Sequence, residues 1–276
     1  MKQLESTLKT LDGVQLFQQA WIPDSEPRGL VCLIHGLGEH SGRYLHVAQF
    51  LTSQNYAVYA MDNRGHGKSS GERGHVNDFE DFMKDIDQLM QKAQEDYPGI
   101  PIFLYGHSLG GILVLNYALR RKPSINGVVA TSPGLRTVLE EQKIKIALSK
   151  LISSILPKLS MPTGLQANQI SHDPQVVKKY TEDPLVHDRG TPGLAVNLLE
   201  AIEWAYQHAH EFSVPLLLMH GTDDEIAYAR GSQEFASKVR GDCTLKLWEG
   251  MAHETHNEPD KDQVLAYLAD WLATKL

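Results

Sequence analysis

The chain has 276 residues, of which 42% are hydrophobic, and a formal net charge of −8. This composition can supply a sizeable core, and the length fits one α/β domain that carries an insertion. The acidic balance gives no electrostatic support to nucleic-acid binding, and the sequence has no run of about 18 apolar residues that would cross a membrane.

The chain opens with two strand patterns, over 4–10 and 14–22, joined at Asp12-Gly13, which is a strong hairpin signal. Strands and helices then alternate. The predicted elements are a strand over 29–34, a helix over 42–54, a strand over 56–61, a helix over 79–97, a strand over 102–105, a helix over 111–121, and strands over 127–131, 214–219 and 244–248. This alternation predicts a mostly parallel, eight-stranded sheet with helices on both faces and the hairpin at one edge.

The alternation breaks between about 134 and 195, which predicts a helical cap (134–195) inserted between strands six and seven of a core formed by 1–133 and 196–276. Apolar residues crowd one stretch of this cap: Ile144, Ile146, Ala147, Leu148, Leu151, Ile152, Ile155, Leu156 and Leu159. Lysines are interleaved with them at 143, 145, 150 and 158. Two interpretations stay open, because the apolar face either packs on the core or lines a pocket and meets lipid.

The pentapeptide Gly106-His107-Ser108-Leu109-Gly110 fits the pattern G-x-S-x-G, with an apolar strand pattern before it and a helix pattern after it. A serine on such a tight turn projects its hydroxyl from the edge of the sheet. The sequence therefore predicts that Ser108 is a nucleophile.

A serine nucleophile needs a base, and the base needs an acid to orient it; behind this kind of turn the chain order is Ser, acid, His. Three acids, Asp223, Asp224 and Glu225, follow the strand pattern at 214–219. Two histidines, His253 and His256, follow the last strand pattern. The pattern alone leaves both choices open, although loop position favours His253.

Tetrahedral intermediates of acyl transfer require two N–H groups aimed at the developing oxyanion. One is expected from Leu109, the residue after the nucleophile. The other is expected from Leu37, which lies between two glycines in the turn after the strand at 29–34.

The stretch from His35 to Tyr44 resembles the oxyanion segment of monoacylglycerol lipases and of related bacterial lysophospholipase-like hydrolases. Similar matches occur at 62–74, at Asp183-Pro184-Leu185, at 220–224 and at 250–253, so the likeness covers most of the chain. The resemblance implies an α/β-hydrolase fold.

The resemblance also implies that Asp224 is the acid and His253 the base, which leaves Asp223 as a solvated or turn-capping neighbour and His256 as a structural residue. It further implies that Glu39, Arg43 and His107 line the polar end of the pocket, where a glycerol head group would sit. A local salt bridge between Glu39 and Arg43 that braces the turn is an equally good reading.

We therefore expect a serine ester hydrolase that cleaves monoacylglycerols or similar single-chain esters and requires no metal or organic cofactor. A lysophospholipase or general carboxylesterase is the alternative, and a haloperoxidase-like enzyme, a carbon–carbon hydrolase or a non-catalytic binding protein is less favoured. Because the first residues lack the apolar core of a secretory signal, a cytoplasmic location is expected. Peripheral lipid contact through the cap and the oligomeric state stay open.

Overall fold

The computed structural model describes residues 1–137 and 152–276. Its centre is an eight-stranded sheet. The strands are β1 (Lys2–Lys9), β2 (Gln15–Ile22), β3 (Gly29–Ile34), β4 (Tyr56–Met61), β5 (Ile102–His107), β6 (Gly127–Thr131), β7 (Leu216–Gly221) and β8 (Cys243–Trp248). Their order across the sheet is β1-β2-β4-β3-β5-β6-β7-β8. In this sheet the pairs β1–β2 and β2–β4 are antiparallel and the other five pairs are parallel, so the predicted mostly parallel sheet with an edge hairpin is confirmed.

Helices cover both faces of this sheet. They are α1 (Leu45–Ser53), α2 (Phe79–Asp96), α3 (Leu109–Arg121), α4 (Pro174–Glu182), α5 (Pro192–His208), α6 (Ala229–Lys238) and α7 (Lys261–Ala273). Helices α1 and α7 contribute to one apolar core, and α2, α3, α5 and α6 contribute to the other. The α/β-hydrolase fold implied by the sequence is thus present.

Strand β3 shows why the sequence forms a sheet that is buried on both faces. All six of its residues are buried. Leu30, Cys32 and Ile34 belong to one core, whereas Val31 and Leu33 belong to the other. Because successive side chains of a strand point to opposite faces, a continuous apolar run fits a central parallel strand with helices on each side.

The segment predicted to form a cap contacts the core at several points after residue 152. Residues 152–155 are helical, Met161–Pro162 pairs with Arg189–Gly190 in a short antiparallel ribbon, and α4 lies between these two strands along the chain. The predicted cap boundary at residue 195 falls inside α5. Of the apolar stretch predicted for the cap, Ile144, Ile146, Ala147, Leu148 and Leu151 lie outside the described residues, as do the lysines at 143, 145 and 150.

Two glycines allow α3 to pack directly on the strands beside it. A Cβ placed on Gly106 would lie 2.2 Å from the carbonyl oxygen of Gly110. A Cβ placed on Gly110 would lie 2.1 Å from the carbonyl oxygen of Ile34 in β3. Both obstacles are backbone atoms and cannot rotate away, so the turn that carries Ser108 depends on these glycines.

The substitution Gly110→Ala is expected to lower the free energy of unfolding by about 3 kcal/mol, the upper end of the usual cost of overpacking a core. Gly134→Ala is the matched control, because its Cβ would meet a flexible end of Ile112 at 3.2 Å. Its expected cost is below about 1 kcal/mol. Denaturant unfolding of the two variants measures both values, and equal losses would contradict the packing argument.

Candidate active site

Ser108 occupies the turn between β5, which ends at His107, and α3, which begins at Leu109. Its backbone has φ 54° and ψ −112°, a conformation that non-glycine residues rarely adopt. Strain of this kind persists where surrounding packing enforces it, and it is common at functional positions. The Ser108 side chain is partly exposed at the edge of the sheet where the parallel strands end.

Three side chains that are far apart in the chain form a line of hydrogen bonds at this edge. The distance from Ser108 Oγ to His253 Nε2 is 2.9 Å. On the other side of the ring, His253 Nδ1 lies 2.7 Å from Asp224 Oδ2. If the Nδ1–H donates to the carboxylate, Nε2 is left to accept the serine proton.

Of the three acids in the turn after β7, only Asp224 faces the imidazole. Its Oδ1 accepts from the N–H groups of Ile226 and Ala227, at 2.9 and 2.8 Å. The side chain of Asp223 is exposed, and Glu225 is exposed and bonds to a cap glutamine. The backbone amides thus hold Asp224 in the one orientation that reaches His253.

Neighbouring strands bring the acid and the base together. The loop that carries His253 follows β8, and the acid turn follows β7, its parallel partner. The N–H of Thr222 donates to the carbonyl of Trp248, and the N–H of Asp223 donates to that of Met251. A Cβ on Gly221 would lie 2.2 Å from the Met251 oxygen, so only glycine permits this contact.

The ionisation of the acid and the base follows from their mutual contact. Burial alone would lower the pKa of His253, but the Asp224 carboxylate outweighs burial and raises that pKa above its usual value. Burial alone would raise the pKa of Asp224, but the two neighbouring imidazoles, His253 and His220, hold it well below its usual range. Asp224 is therefore a stable anion, and His253 is a stronger base than a free imidazole.

The turn after β3 lies beside the nucleophile. A Cβ on Gly36 would lie 3.2 Å from the Cβ of Ser108. His35 braces this turn, because its Nε2 accepts from the Asn63 N–H at 2.8 Å and its Nδ1 therefore donates to the Gly36 carbonyl at 2.7 Å. Leu37 follows in the same turn. Leu109 is the first residue of α3, where backbone N–H groups have no partner within the helix.

A buried ionic cluster adjoins this turn and contains both Glu39 and Arg43. Glu39 Oε2 accepts from Arg43 at 2.6 Å, so the salt bridge allowed by the sequence forms. Glu39 Oε1 accepts from the Gly36 N–H and from the Tyr44 hydroxyl, each at 2.7 Å. Burial alone would raise the pKa of Glu39, but Arg43 outweighs it and the pKa is lowered to about 2.

Glu254, which sequence reasoning missed, completes this cluster. Arg43 donates to both of its carboxylate oxygens, at 2.6 and 2.7 Å. Glu254 follows the base directly in the chain, so the ion pair joins the His253 loop to the oxyanion segment. No sequence pattern indicated this contact, because the two partners are 211 positions apart.

His107 and His256 lie next to the cluster and are both buried. Burial lowers the pKa of His107 to about 3, so its ring is neutral, and its Nδ1 bonds to the Thr131 hydroxyl at 3.1 Å. The His256 ring stacks on Tyr44 at 4.9 Å and meets His107 at 4.8 Å. Neither His256 nitrogen has a hydrogen-bond partner in the described structure.

The predicted site residues thus lie together at the carboxyl ends of the parallel strands. Within the described ranges, 1–137 and 152–276, no group of three or more His, Cys, Asp or Glu side chains is arranged to hold a metal ion.

Comparison with known proteins adds independent information. Residues 25–260 match the family described as serine aminopeptidase, S33. The monoacylglycerol lipase of Mycolicibacterium smegmatis is 35% identical over 99% of this chain and 98% of its own. The crystal structure of a monoacylglycerol lipase from Paleococcus ferrophilus superposes with a TM-score of 0.87 at 37% identity, over 95% of this chain and 99% of its own. An uncharacterized abhydrolase domain-containing protein of Dictyostelium discoideum is 39% identical over 98% of this chain, which spans 29% of that longer protein.

Replacing Asp224 with Asn is expected to reduce kcat by about 10³- to 10⁴-fold, because an amide no longer holds His253 in the tautomer that accepts from Ser108. Asp223→Asn is the matched control in the same turn, and we expect it to retain kcat within about twofold. Steady-state hydrolysis of a chromogenic ester measures both. Equal losses, or a larger loss for Asp223→Asn, would show that the acid is wrongly assigned.

Proposed function

This chain belongs to the α/β-hydrolase family described as serine aminopeptidase, S33, and we propose that it is a serine ester hydrolase that cleaves monoacylglycerols. The observation that carries the proposal is the hydrogen-bonded line Ser108–His253–Asp224, set beside a buried polar cluster. Full-length similarity to a monoacylglycerol lipase supports the choice of substrate.

In this mechanism Ser108 Oγ attacks the ester carbonyl carbon while His253 Nε2 takes the hydroxyl proton. Asp224 stabilises the imidazolium that forms. The N–H groups of Leu37 and Leu109 donate to the oxyanion. The tetrahedral intermediate collapses, the C–O bond to glycerol breaks, and His253 returns the proton to the leaving oxygen. Water, activated by His253, then cleaves the acyl-serine ester and releases the fatty acid.

The polar cluster suits an uncharged head group. Glycerol hydroxyls carry no charge and both donate and accept hydrogen bonds, so their binding does not require a net charge in the pocket. Glu39 and Arg43 line the same end of the pocket in this proposal.

The same cluster disfavours two charged alternatives. The guanidinium of Arg43 is neutralised by Glu39 and Glu254, so the pocket has no net positive charge for the phosphate of a lysophospholipid. Each carboxylate is already paired with Arg43, which weakens the attraction that either would exert on the amine of a peptide N-terminus.

A hydrolysis panel tests the substrate class. We expect long-chain monoacylglycerols to be cleaved with a kcat/KM at least about tenfold above that of lysophosphatidylcholine with the same acyl chain, a difference of about 1.4 kcal/mol in transition-state binding. Equal turnover of the two, or cleavage of aminoacyl anilides in preference to both, would contradict the proposed substrate.

Ser108→Ala is the matched control for this panel. It is expected to remove turnover and covalent labelling by a fluorophosphonate while leaving thermal stability unchanged, because one oxygen atom is lost at a partly exposed position. Retained labelling at another serine would show that the nucleophile is wrongly assigned.

We also propose that the described part of the cap touches the lipid surface that supplies the substrate. One stretch of eleven residues in this part exposes five large apolar side chains: Ile155, Leu156, Leu159, Met161 and Leu165. An apolar cluster of this kind inserts at the boundary between head groups and acyl chains. None of the helices in the described parts of the chain is long and apolar enough to pass through a bilayer.

The double substitution Ile155→Asp with Leu156→Asp is expected to weaken binding to neutral phosphatidylcholine vesicles by about tenfold or more, because two exposed apolar side chains no longer enter the lipid. Leu11→Asp, at a fully exposed leucine in the β1–β2 hairpin, is the control and should bind like the unmodified protein. Vesicle co-sedimentation measures both, and hydrolysis of a short soluble ester should be unaffected in all three proteins. Equal binding of the three would contradict lipid contact through this region.

A further inference from the structure

The Asp224 carboxylate has a second imidazole partner that the mechanism above does not use. His220, in β7, places Nε2 3.0 Å from Asp224 Oδ2. This is the same oxygen that His253 Nδ1 contacts at 2.7 Å. Both the His220 ring and the Asp224 side chain are fully buried.

The surroundings of His220 fix which nitrogen carries the proton. Nε2 also lies 2.7 Å from the carbonyl oxygen of Ala227, which can only accept a hydrogen bond. Nε2 therefore carries the hydrogen and donates it between Ala227 and Asp224. On the other side of the ring, Nδ1 lies 2.8 Å from the hydroxyl of Ser232, a buried residue of α6, and accepts a hydrogen bond from it.

These contacts complete the set of donors around the carboxylate. Oδ1 accepts from two backbone amides, and Oδ2 accepts from two imidazoles. The amides belong to the turn after β7, whereas His220 lies in β7 itself and is tied to α6. Strand β7, the turn after it and, through His220, helix α6 thus all fix the position of the carboxylate. His253, in the loop after β8, is its remaining partner.

We propose that His220 is a positioning residue that fixes Asp224 Oδ2 and shares its negative charge, and so limits how strongly Asp224 holds the protonated form of His253. The proposal rests on the proposed function, in which His253 must be neutral at the start of each turnover so that it can take the Ser108 proton. If His253 were the sole partner of Asp224 Oδ2, the carboxylate would hold His253 in its protonated form up to a higher pH.

A pair of amide substitutions separates this role from simple filling of the core. In His220→Gln the amide nitrogen reaches about the position of Nε2 and can donate to Asp224. In His220→Asn the amide reaches only about the position of Nδ1, so it can meet Ser232 but cannot reach Asp224. Both variants are polar and smaller than or similar to histidine, and thermal melting shows whether both are folded.

The readout is the pH dependence of kcat/KM on a short soluble ester. The acid limb reports deprotonation of His253, whose titratable neighbours are Asp224, His107, His256, Glu39 and Glu254. In His220→Asn we expect the midpoint of this limb to rise by about 0.5 to 1 pH unit, the size expected from one lost hydrogen bond, and kcat to fall about tenfold. In His220→Gln the midpoint and kcat should both be close to the values of the unmodified protein. KM should be unchanged in both variants.

Two results would overturn the proposal. One is an unmoved midpoint in a folded His220→Asn variant, which would mean that the ring only fills space. The other is the opposite tautomer of His220 in nitrogen NMR spectra of the unmodified protein, a measurement that requires no variant to fold. Failure of the proposed function is distinguishable, because it appears as absent ester turnover in the unmodified protein, whereas the NMR result is independent of turnover.

Discussion

The structure of the site depends on one buried anion. The Asp224 carboxylate lies below the surface, and it is stable there only because backbone amides and imidazoles fill its acceptor positions. Those partners come from strand β7, its following turn and the loop after β8. The orientation of His253, and through it the hydrogen bond to Ser108, is thus a consequence of how two adjacent parallel strands end.

A second set of buried charges extends this organisation to the oxyanion segment. Arg43 lies between Glu39 and Glu254, so a single guanidinium joins the turn after β3 to the loop that carries His253. Removing Arg43 would leave two buried carboxylates without a cation, which is far more costly than the net stabilisation that the cluster provides. The two loops are therefore constrained to move together, and the nucleophile lies between them.

The sequence predicted the features that arise from local physics. Strand β3 is apolar throughout, and the glycines around Ser108 leave room for a helix, so the sheet and the turn were accessible from pattern alone. The pattern alone did not decide among Asp223, Asp224 and Glu225, because the choice depends on which carboxylate is oriented by two backbone amides. Glu254 was missed for a related reason, since its partner Arg43 is distant in the chain and nothing in either neighbourhood indicates the pairing. The unbonded ring nitrogens of His256 are likewise visible only in the three-dimensional packing.

The hydrogen bonds of residues 170–187 determine which substitutions affect the catalytic residues. The N–H of His187 donates to the carbonyl of Gly38, Asp183 pairs with His40, and the carbonyl of Ile170 accepts from the N–H of Glu254. These bonds connect residues 170–187 to the turn after β3 and to the loop that carries His253. The exposed apolar residues at 155–165 lie before them along the chain. Substitutions that disturb residues 170–187 are therefore transmitted to the turn after β3 and to the His253 loop, whereas exchanging the exposed apolar side chains at 155–165 removes none of these bonds.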